Sequence, residues 1–272
     1  MIKEYGIIGA IVGDVIGSSY EFDNTKSIDF ELFRAGTEFT DDSILTVATM
    51  DVLNKNDINY GYIQAYQNFS KKYPSVYGDG FCKWRDSDDP QPYNSWGNGS
   101  AMRVSPVGWA FNSVEEVMAE AKRSAEVTHN HPEGIKGAQA TAVAVYMARV
   151  GKSKEEIGDF ISETFGYDLS RTVSEIRSSH RFNENCQSTV PESIIAFLES
   201  SDFENAIRLA VSLGGDSDTI TSIAGGIAGA FYKDIPGYIV QKVLEYLPKE
   251  FIDIITEFSK FTDLSPVSPG PK

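Results

Sequence analysis

Leu213-Gly214-Gly215-Asp216-Ser217-Asp218-Thr219-Ile220-Thr221 is the stretch on which the reading of this chain turns. Two glycines end one apolar run and another begins at once, so the aspartates sit where a loop passes into a helix. Inside a regular helix Asp216 and Asp218 would point apart; at such a junction they can converge. A second acidic run lies far upstream, Phe39-Thr40-Asp41-Asp42-Ser43. Thr40 reads as an N-cap, with Asp41 and Asp42 in the first turn of an apolar helix over 43–53, where free N–H groups favour negative charge. Two adjacent acids leading into so apolar a helix exceed what capping requires. Together the two runs offer four aspartates and the hydroxyls of Thr40 and Thr219, all hard oxygen ligands. Four aspartates driven to one place repel each other and are costly to bury. Two divalent cations would offset that charge, and an all-oxygen ligand set points to magnesium or manganese rather than a softer metal. Calcium is disfavoured because the usual calcium-binding loop is absent.

Working outward, residues 6–19 read as a buried helix in which Gly6, Gly9, Gly13 and Gly17 recur at helical spacing. They leave a bare stripe that another helix can approach closely. Asp14, Ser18 and Glu21 follow at spacings of four and three, which a continuing helix would place on one face. Glu21 lies between Tyr20 and Phe22. A carboxylate among aromatics can hold its proton more tightly and serve as a base, or be an ordinary capping acid. Residues 24–39 look irregular, with a short extended piece at 28–33. A helix over 59–72 is followed by a long loop, 73–100, carrying Tyr77, Phe81, Trp84, Tyr93 and Trp96. A loop this long is often functional, and one or two of these rings are candidates to stack on a flat ligand. It ends in Gly97-Asn98-Gly99-Ser100-Ala101-Met102-Arg103. That run reads as a tight turn into a helix over 104–111 interrupted by Pro106 and Gly108, or as backbone N–H groups and Arg103 turned toward an anion.

Ser113 and Glu116 predict a capping box for a helix reaching about Thr128. His129-Asn130-His131-Pro132-Glu133 breaks it. No third histidine or cysteine nearby completes a zinc site, so a hydrogen-bonding loop role suits His129 or His131 better. Further helices are expected over 133–149, 152–165, 171–177, 190–198, 203–213, 217–231, 236–247 and 249–258. No alternating run demands a strand, and no linker or repeat divides the chain. All-α is the expected class.

The whole sequence is 272 residues with a formal net charge of −15. Such acidity makes a poor generic binder of nucleic-acid backbones. Two cysteines, Cys82 and Cys186, make neither a disulfide framework nor a zinc knuckle, which fits a reducing compartment. The opening residues lack the shape of a secretory signal, and the apolar run 7–16 is too short to span a bilayer. A soluble, cytoplasmic, monomeric protein without membrane contact is the expectation. The chemistry that fits the two acidic runs is metal-dependent hydrolysis, with Glu21 taking a proton from water held at a dinuclear centre.

Five motifs in this order resemble the ADP-ribosylglycohydrolase family: Gly13-Asp14 through Glu21, Thr40-Asp41-Asp42, the 97–103 run, His129-Asn130-His131-Pro132-Glu133, and Asp216-Ser217-Asp218-Thr219. The resemblance implies a compact single-domain orthogonal helical bundle over 1–262, followed by a polar Pro-rich tail at 263–272. It implies that Thr40, Asp41, Asp42, Asp216, Asp218 and Thr219 bind two Mg2+ or Mn2+ ions. It ties Glu21, Asp41 and Asp218 to the catalytic step. Asp14, Gly97, Asn98, Gly99, Ser100, Met102, His131 and Gly215 would border the substrate. Family members remove ADP-ribose from modified side chains such as arginine or serine, so an ADP-ribosylated protein or small-molecule acceptor is the implied partner. Alternatives on the same fold are a non-catalytic ADP-ribose-binding module and a hydrolase of ADP-ribosylated nucleobases. Ser217 and Ser43 depart mildly from the family pattern without removing a proposed ligand.

Overall fold

The computed structural model describes residues 5–55, 57, 60–179 and 181–263, and its regular structure is helical. A 3-10 turn at Tyr5–Ile8 leads into α1 (Gly9–Ser18), α2 (Asp41–Lys55), α3 (Tyr62–Lys72), α4 (Asp79–Arg85) and α5 (Gly99–Met102). Then come α6 (Ser105–Ala110), α7 (Val114–Glu126), α8 (Pro132–Arg149), α9 (Lys154–Phe165) and α10 (Val173–Ser179). The series closes with α11 (Cys186–Glu199), α12 (Phe203–Leu213), α13 (Ser217–Tyr232), α14 (Gly237–Tyr246) and α15 (Lys249–Asp263). Among the described residues there is no strand, only an isolated bridge between Gly97 and Asn185. The architecture is an all-α orthogonal bundle.

α13 is its axis. It is buried from Ser217 to Ala230, as a helix apolar or small all round must be. α1, α8, α11 and α12 pack around it. The closest partner is α1, which runs antiparallel along it. A Cβ built on Gly9 would stand 2.3 Å from the Gly225 carbonyl oxygen, one on Gly13 2.1 Å from that of Thr221, and one on Gly17 2.6 Å from that of Ser217. Reciprocally, a Cβ on Gly225 would meet the Gly9 carbonyl at 2.4 Å. The glycine stripe read from the sequence is thus a surface for backbone-on-backbone contact. No side chain larger than hydrogen fits there.

Several expectations change. The 73–100 segment is not one loop: α4 lies inside it, because Phe81 and Trp84, one turn apart, bury on the body of the protein. Pro106 does not interrupt its helix. It sits in the first turn of α6, where a missing N–H costs nothing. α11 starts four residues before the predicted 190 and carries Pro191 inside it. The 28–33 piece forms no strand. α15 runs to Asp263, past the predicted end at 258. The rest of the expected tail and the start of the helix predicted at 59 lie outside the described residues.

The α1–α13 contact yields a direct test. Gly13→Ala should cost about 3 kcal/mol of stability, because the new methyl meets backbone that cannot rotate away. Gly237→Ala, at a position with nothing within 4 Å, should stay within about 0.5 kcal/mol of wild type. Urea unfolding midpoints compare the two; equal values would show that the helices are not in close contact.

Candidate active site

The contact that packs α1 on α13 also sets Asp14 beside the start of α13. Asp14 is fully buried. Its Oδ2 accepts from the amides of Thr40 (3.0 Å) and Ser43 (3.1 Å), its Oδ1 accepts from the Thr40 hydroxyl (2.6 Å), and the Ser43 hydroxyl donates to it as well. Burial pushes this carboxyl up, and the hydrogen bonds from Ser43 and Thr40 pull it back. One side chain therefore binds the first turn of α2 to α1, and fixes where Thr40, Asp41 and Asp42 stand.

The other acidic run approaches from α12. Gly214 and Gly215 take φ of +71° and +76°, a left-handed turn that glycine alone enters without strain. Asp216 follows as the N-cap residue of α13, but its side chain makes no capping bond. Its Oδ2 instead accepts from Asn98 Nδ2 at 2.6 Å, and Asn98 also donates to the Thr189 hydroxyl at 3.2 Å. Thr219 Oγ1 donates to Asp42 Oδ2 at 3.2 Å, which joins the two runs directly. Oxygens of Asp14, Asp42 and Asp218 lie within 4.8 Å of one another, and so do oxygens of Glu21, Asp216 and Asp218. Asp218 is common to both groups. Asp41 lines the same cleft but belongs to neither.

These groups suit hard divalent cations. Asp42 Oδ1 is buried and has no hydrogen-bond partner, an arrangement costly unless a ligand completes it. The Thr219 hydroxyl has given its proton to Asp42 and keeps lone pairs to offer. Burial raises the carboxyls of Asp41, Asp42 and Asp218 well above the carboxylate range, and their acidic neighbours raise them further. For Asp42 those neighbours are Asp14, Asp41 and Asp216; for Asp218, Asp216 and Asp42.

Glu21 is not on the helix with Asp14. α1 ends at Ser18 and the chain turns, with Tyr20 N donating to Gly17 O at 2.8 Å. What places Glu21 is Asn24, which the sequence did not single out. Asn24 Oδ1 accepts from Gly215 N at 2.7 Å, while its Nδ2 donates to Gly215 O at 3.0 Å and to Glu21 O at 2.8 Å. Lys26 adds a bond to the Leu213 carbonyl. The segment carrying Glu21 is thereby pinned to the glycine turn ahead of Asp216. Burial pushes the Glu21 carboxyl up to about 7, and Asp216, Glu184 and Asp14 add to the shift.

All of this floors a cleft of about 940 Å³. Glu21, Thr40, Asp41, Asp42, Gly97, Asn98, Gly99, Met102, Asp216, Asp218 and Thr219 line it. So do Tyr77, Phe81 and Tyr93 of the 73–100 segment. Four residues expected at the substrate are engaged elsewhere. Asp14 is consumed by Thr40 and Ser43. The Ser100 hydroxyl donates to Gly134 O at 2.7 Å, and Gly215 is held by Asn24. His131 Nδ1 accepts from Glu133 N at 3.1 Å, as the N-cap residue of α8, and its ring meets Trp96 edge-on. The histidine on the cleft is His129, buried at 5 % exposure. The alternation His-Asn-His gives no signal for which ring faces inward; the Pro132 that opens α8 favours His131 as cap. Arg103, considered for an anion, is buried and donates to Ser124 O and to the Thr128 hydroxyl.

A sequence profile described as ADP-ribosylglycohydrolase matches residues 5–266. The chain belongs to the ADP-ribosylglycohydrolase family. Within it, the human protein named ADP-ribosylhydrolase ARH3 is 28 % identical, over 83 % of this chain and 84 % of its own length. The Pseudomonas putida protein named ADP-ribosylarginine hydrolase Tri1 is 25 % identical, over 91 % of this chain and 76 % of its own. A solved structure titled "ADP-ribosylglycohydrolase-related protein complex" superposes with a TM-score of 0.70 at 21 % identity, covering 94 % of this chain and 96 % of that one, which establishes the ADP-ribosylglycohydrolase fold. Among the described residues no helix is long and apolar enough to cross a membrane.

The acid clusters make stability depend on pH in a defined sense. A carboxyl whose folded value is raised binds its proton more tightly when folded, so stability falls as pH rises from the unfolded value toward the folded one. Glu21, Asp41, Asp42 and Asp218 all act this way. Buried His129, held below its ordinary value, acts in the opposite sense, but only below about 6.5. The melting temperature of the chelator-treated protein should therefore drop between pH 6.5 and pH 8. Mg2+ or Mn2+ should raise it, more at pH 8 than at 6.5. A melting temperature flat in pH and indifferent to both ions would sink the reading of these acids as a cation site.

Proposed function

We propose that this protein hydrolyses the glycosidic bond between the distal ribose of ADP-ribose and its acceptor, with an arginine side chain as the foremost acceptor. The observation that carries the reading is the pair of all-oxygen clusters sharing Asp218 on the floor of the cleft, with Glu21 at its edge. Thr40, Asp41, Asp42, Asp216, Asp218 and Thr219 would hold two divalent cations, Mg2+ or Mn2+. Such ions supply positive charge that offsets the aspartates and orients the ribose hydroxyls and a water.

Glu21 is a half-buried carboxylate beside Asp216 and Asp218, placed to accept a proton from the attacking water. The hydroxide joins the anomeric carbon. The acceptor leaves with the electron pair of the broken bond and gains a proton. The neighbouring carboxylates stabilise the oxocarbenium-like state between. Asn98 holds Asp216 in place, and Asn24 holds Glu21. Two observations support an arginine acceptor. Among the described lining residues, eight acids face one arginine, and that field favours a cationic leaving side chain. The relative Tri1 is also named an ADP-ribosylarginine hydrolase.

Incubating the protein with arginine-, serine- and nucleobase-linked ADP-ribose, with divalent cation or with chelator, tests this. Release from the arginine conjugate that stops with chelator is expected; no release from any conjugate overturns the proposal. Asp42→Asn and Asp216→Asn should weaken cation binding and abolish most turnover. Glu21→Gln should leave cation binding intact and slow turnover by roughly 10²- to 10⁴-fold, the span usual for losing a general base. Equal activity in all three would remove the roles assigned to them.

A further inference from the structure

His129 is the one cleft-lining histidine among the described residues, and its protonation pattern is written in its neighbours. Arg103 Nη2 donates to Thr128 Oγ1 at 2.8 Å. A guanidinium can only donate, so Thr128 Oγ1 is an acceptor in that bond and has one proton of its own to place. Two acceptors are within reach, His129 Nδ1 at 2.7 Å and the Ala125 carbonyl at 3.4 Å. The Ala125 carbonyl already accepts from the amides of Thr128 (3.1 Å) and His129 (2.7 Å), which occupy its two lone pairs, so the hydroxyl proton goes to Nδ1. His129 Nδ1 is then unprotonated, and the ring proton must sit on Nε2. Burial, then Arg103, holds the imidazole neutral, far below its ordinary value.

The Nε2 edge lies against the Gly97–Gly99 turn. A Cβ on Gly99 would come within 3.2 Å of Nε2, and one on Gly97 within 3.5 Å. These glycines make room for the ring. Nε2 has no hydrogen-bond partner among the described residues. We propose that Arg103 and Thr128 act as positioning residues that lock His129 as its Nε2–H tautomer, presenting a neutral donor to an oxygen of ADP-ribose bound over the Gly97–Gly99 turn. The ligand in this proposal rests on the function inferred above; the tautomer does not. A donor whose tautomer is fixed before binding needs no proton rearrangement when the ligand arrives.

Long-range ¹⁵N–¹H correlation spectra of the full chain, with His129 assigned through His129→Gln, read the tautomer directly. Calorimetry with ADP-ribose at saturating Mg2+ reads the consequence. Wild type should show the Nε2–H form. Thr128→Val should mix the tautomers and weaken ADP-ribose on the order of fivefold, the effect of one hydrogen bond. Thr128→Ser, which keeps the hydroxyl, should restore both. An Nδ1–H tautomer in wild type overturns the proposal without recourse to any variant. So does unchanged ADP-ribose affinity in a folded Thr128→Val. Wild type with the Nε2–H form but no affinity for ADP-ribose overturns the function reading and the ligand assigned here, while the lock itself stands.

Discussion

Two helices in this molecule touch through their backbones, and the candidate site exists because they do. Carbonyl oxygens of α13 occupy the space where side chains of α1 would otherwise begin. An ordinary helix pair is held 8–10 Å apart by its side chains. Here no side chain stands between the two backbones at the glycines, and Asp14 on α1 comes level with Asp218 on α13. Glycine lowers helix propensity by roughly 1 kcal/mol at each position. The chain accepts that cost three times along α1, because burial of the whole α13 face offsets it and no other residue permits the approach. Sequence, packing and chemistry are linked at this one seam.

The seam brings together acids that repel, and the protein treats them unequally. Asp14 receives donors from Thr40 and Ser43, side chain and backbone alike, and so behaves as a structural anion closing the start of α2. Asp42, the residue before Ser43, keeps an oxygen buried and unpaired. A fold stabilised only by its own contacts would not leave that oxygen bare, since an unsatisfied buried acceptor costs about 1–3 kcal/mol. The contrast separates the carboxylate that builds the site from those left open toward a ligand. It also explains why Asp14 shares a cluster with Asp42 and Asp218 although its own lone pairs are largely engaged.

Much of this was legible in the residues. Periodicity and capping signals placed most helices, and the glycine spacing announced a close helix contact. The convergence of Asp42, Thr219, Asp216 and Asp218 followed from two loop-to-helix junctions. What stayed hidden depends on contacts that a local pattern does not specify. The spacing of Glu21 continues the face of α1, but the helix stops and a side chain only three residues on, Asn24, ties the segment to Gly215. Nothing local marks an asparagine for that task. His129 and His131 are alike in composition, and their roles are decided by Arg103 and Thr128 for one and by the start of α8 for the other. α4 was invisible because its aromatics, in so polar and Gly-Pro-rich a stretch, read equally well as a ligand platform.

The Gly97–Asn98–Gly99 turn joins the two halves of the cleft. On one side Asn98 donates to Asp216, part of the acid floor. On the other, Gly99 lies against the His129 ring. Residue 98 itself is anchored further by its amide, which donates to the Glu184 carbonyl at 2.8 Å. A ligand reaching from the acids to the imidazole must cross this turn, and the turn cannot shift to meet one end without disturbing the other. Its rigidity is therefore a ruler: it fixes the span between a site that attracts cations and a neutral donor that ignores charge. A nucleotide sugar has both kinds of group, hydroxyls at the reacting ribose and oxygens further along, and the fixed spacing favours a ligand that satisfies the two together over one that offers either alone.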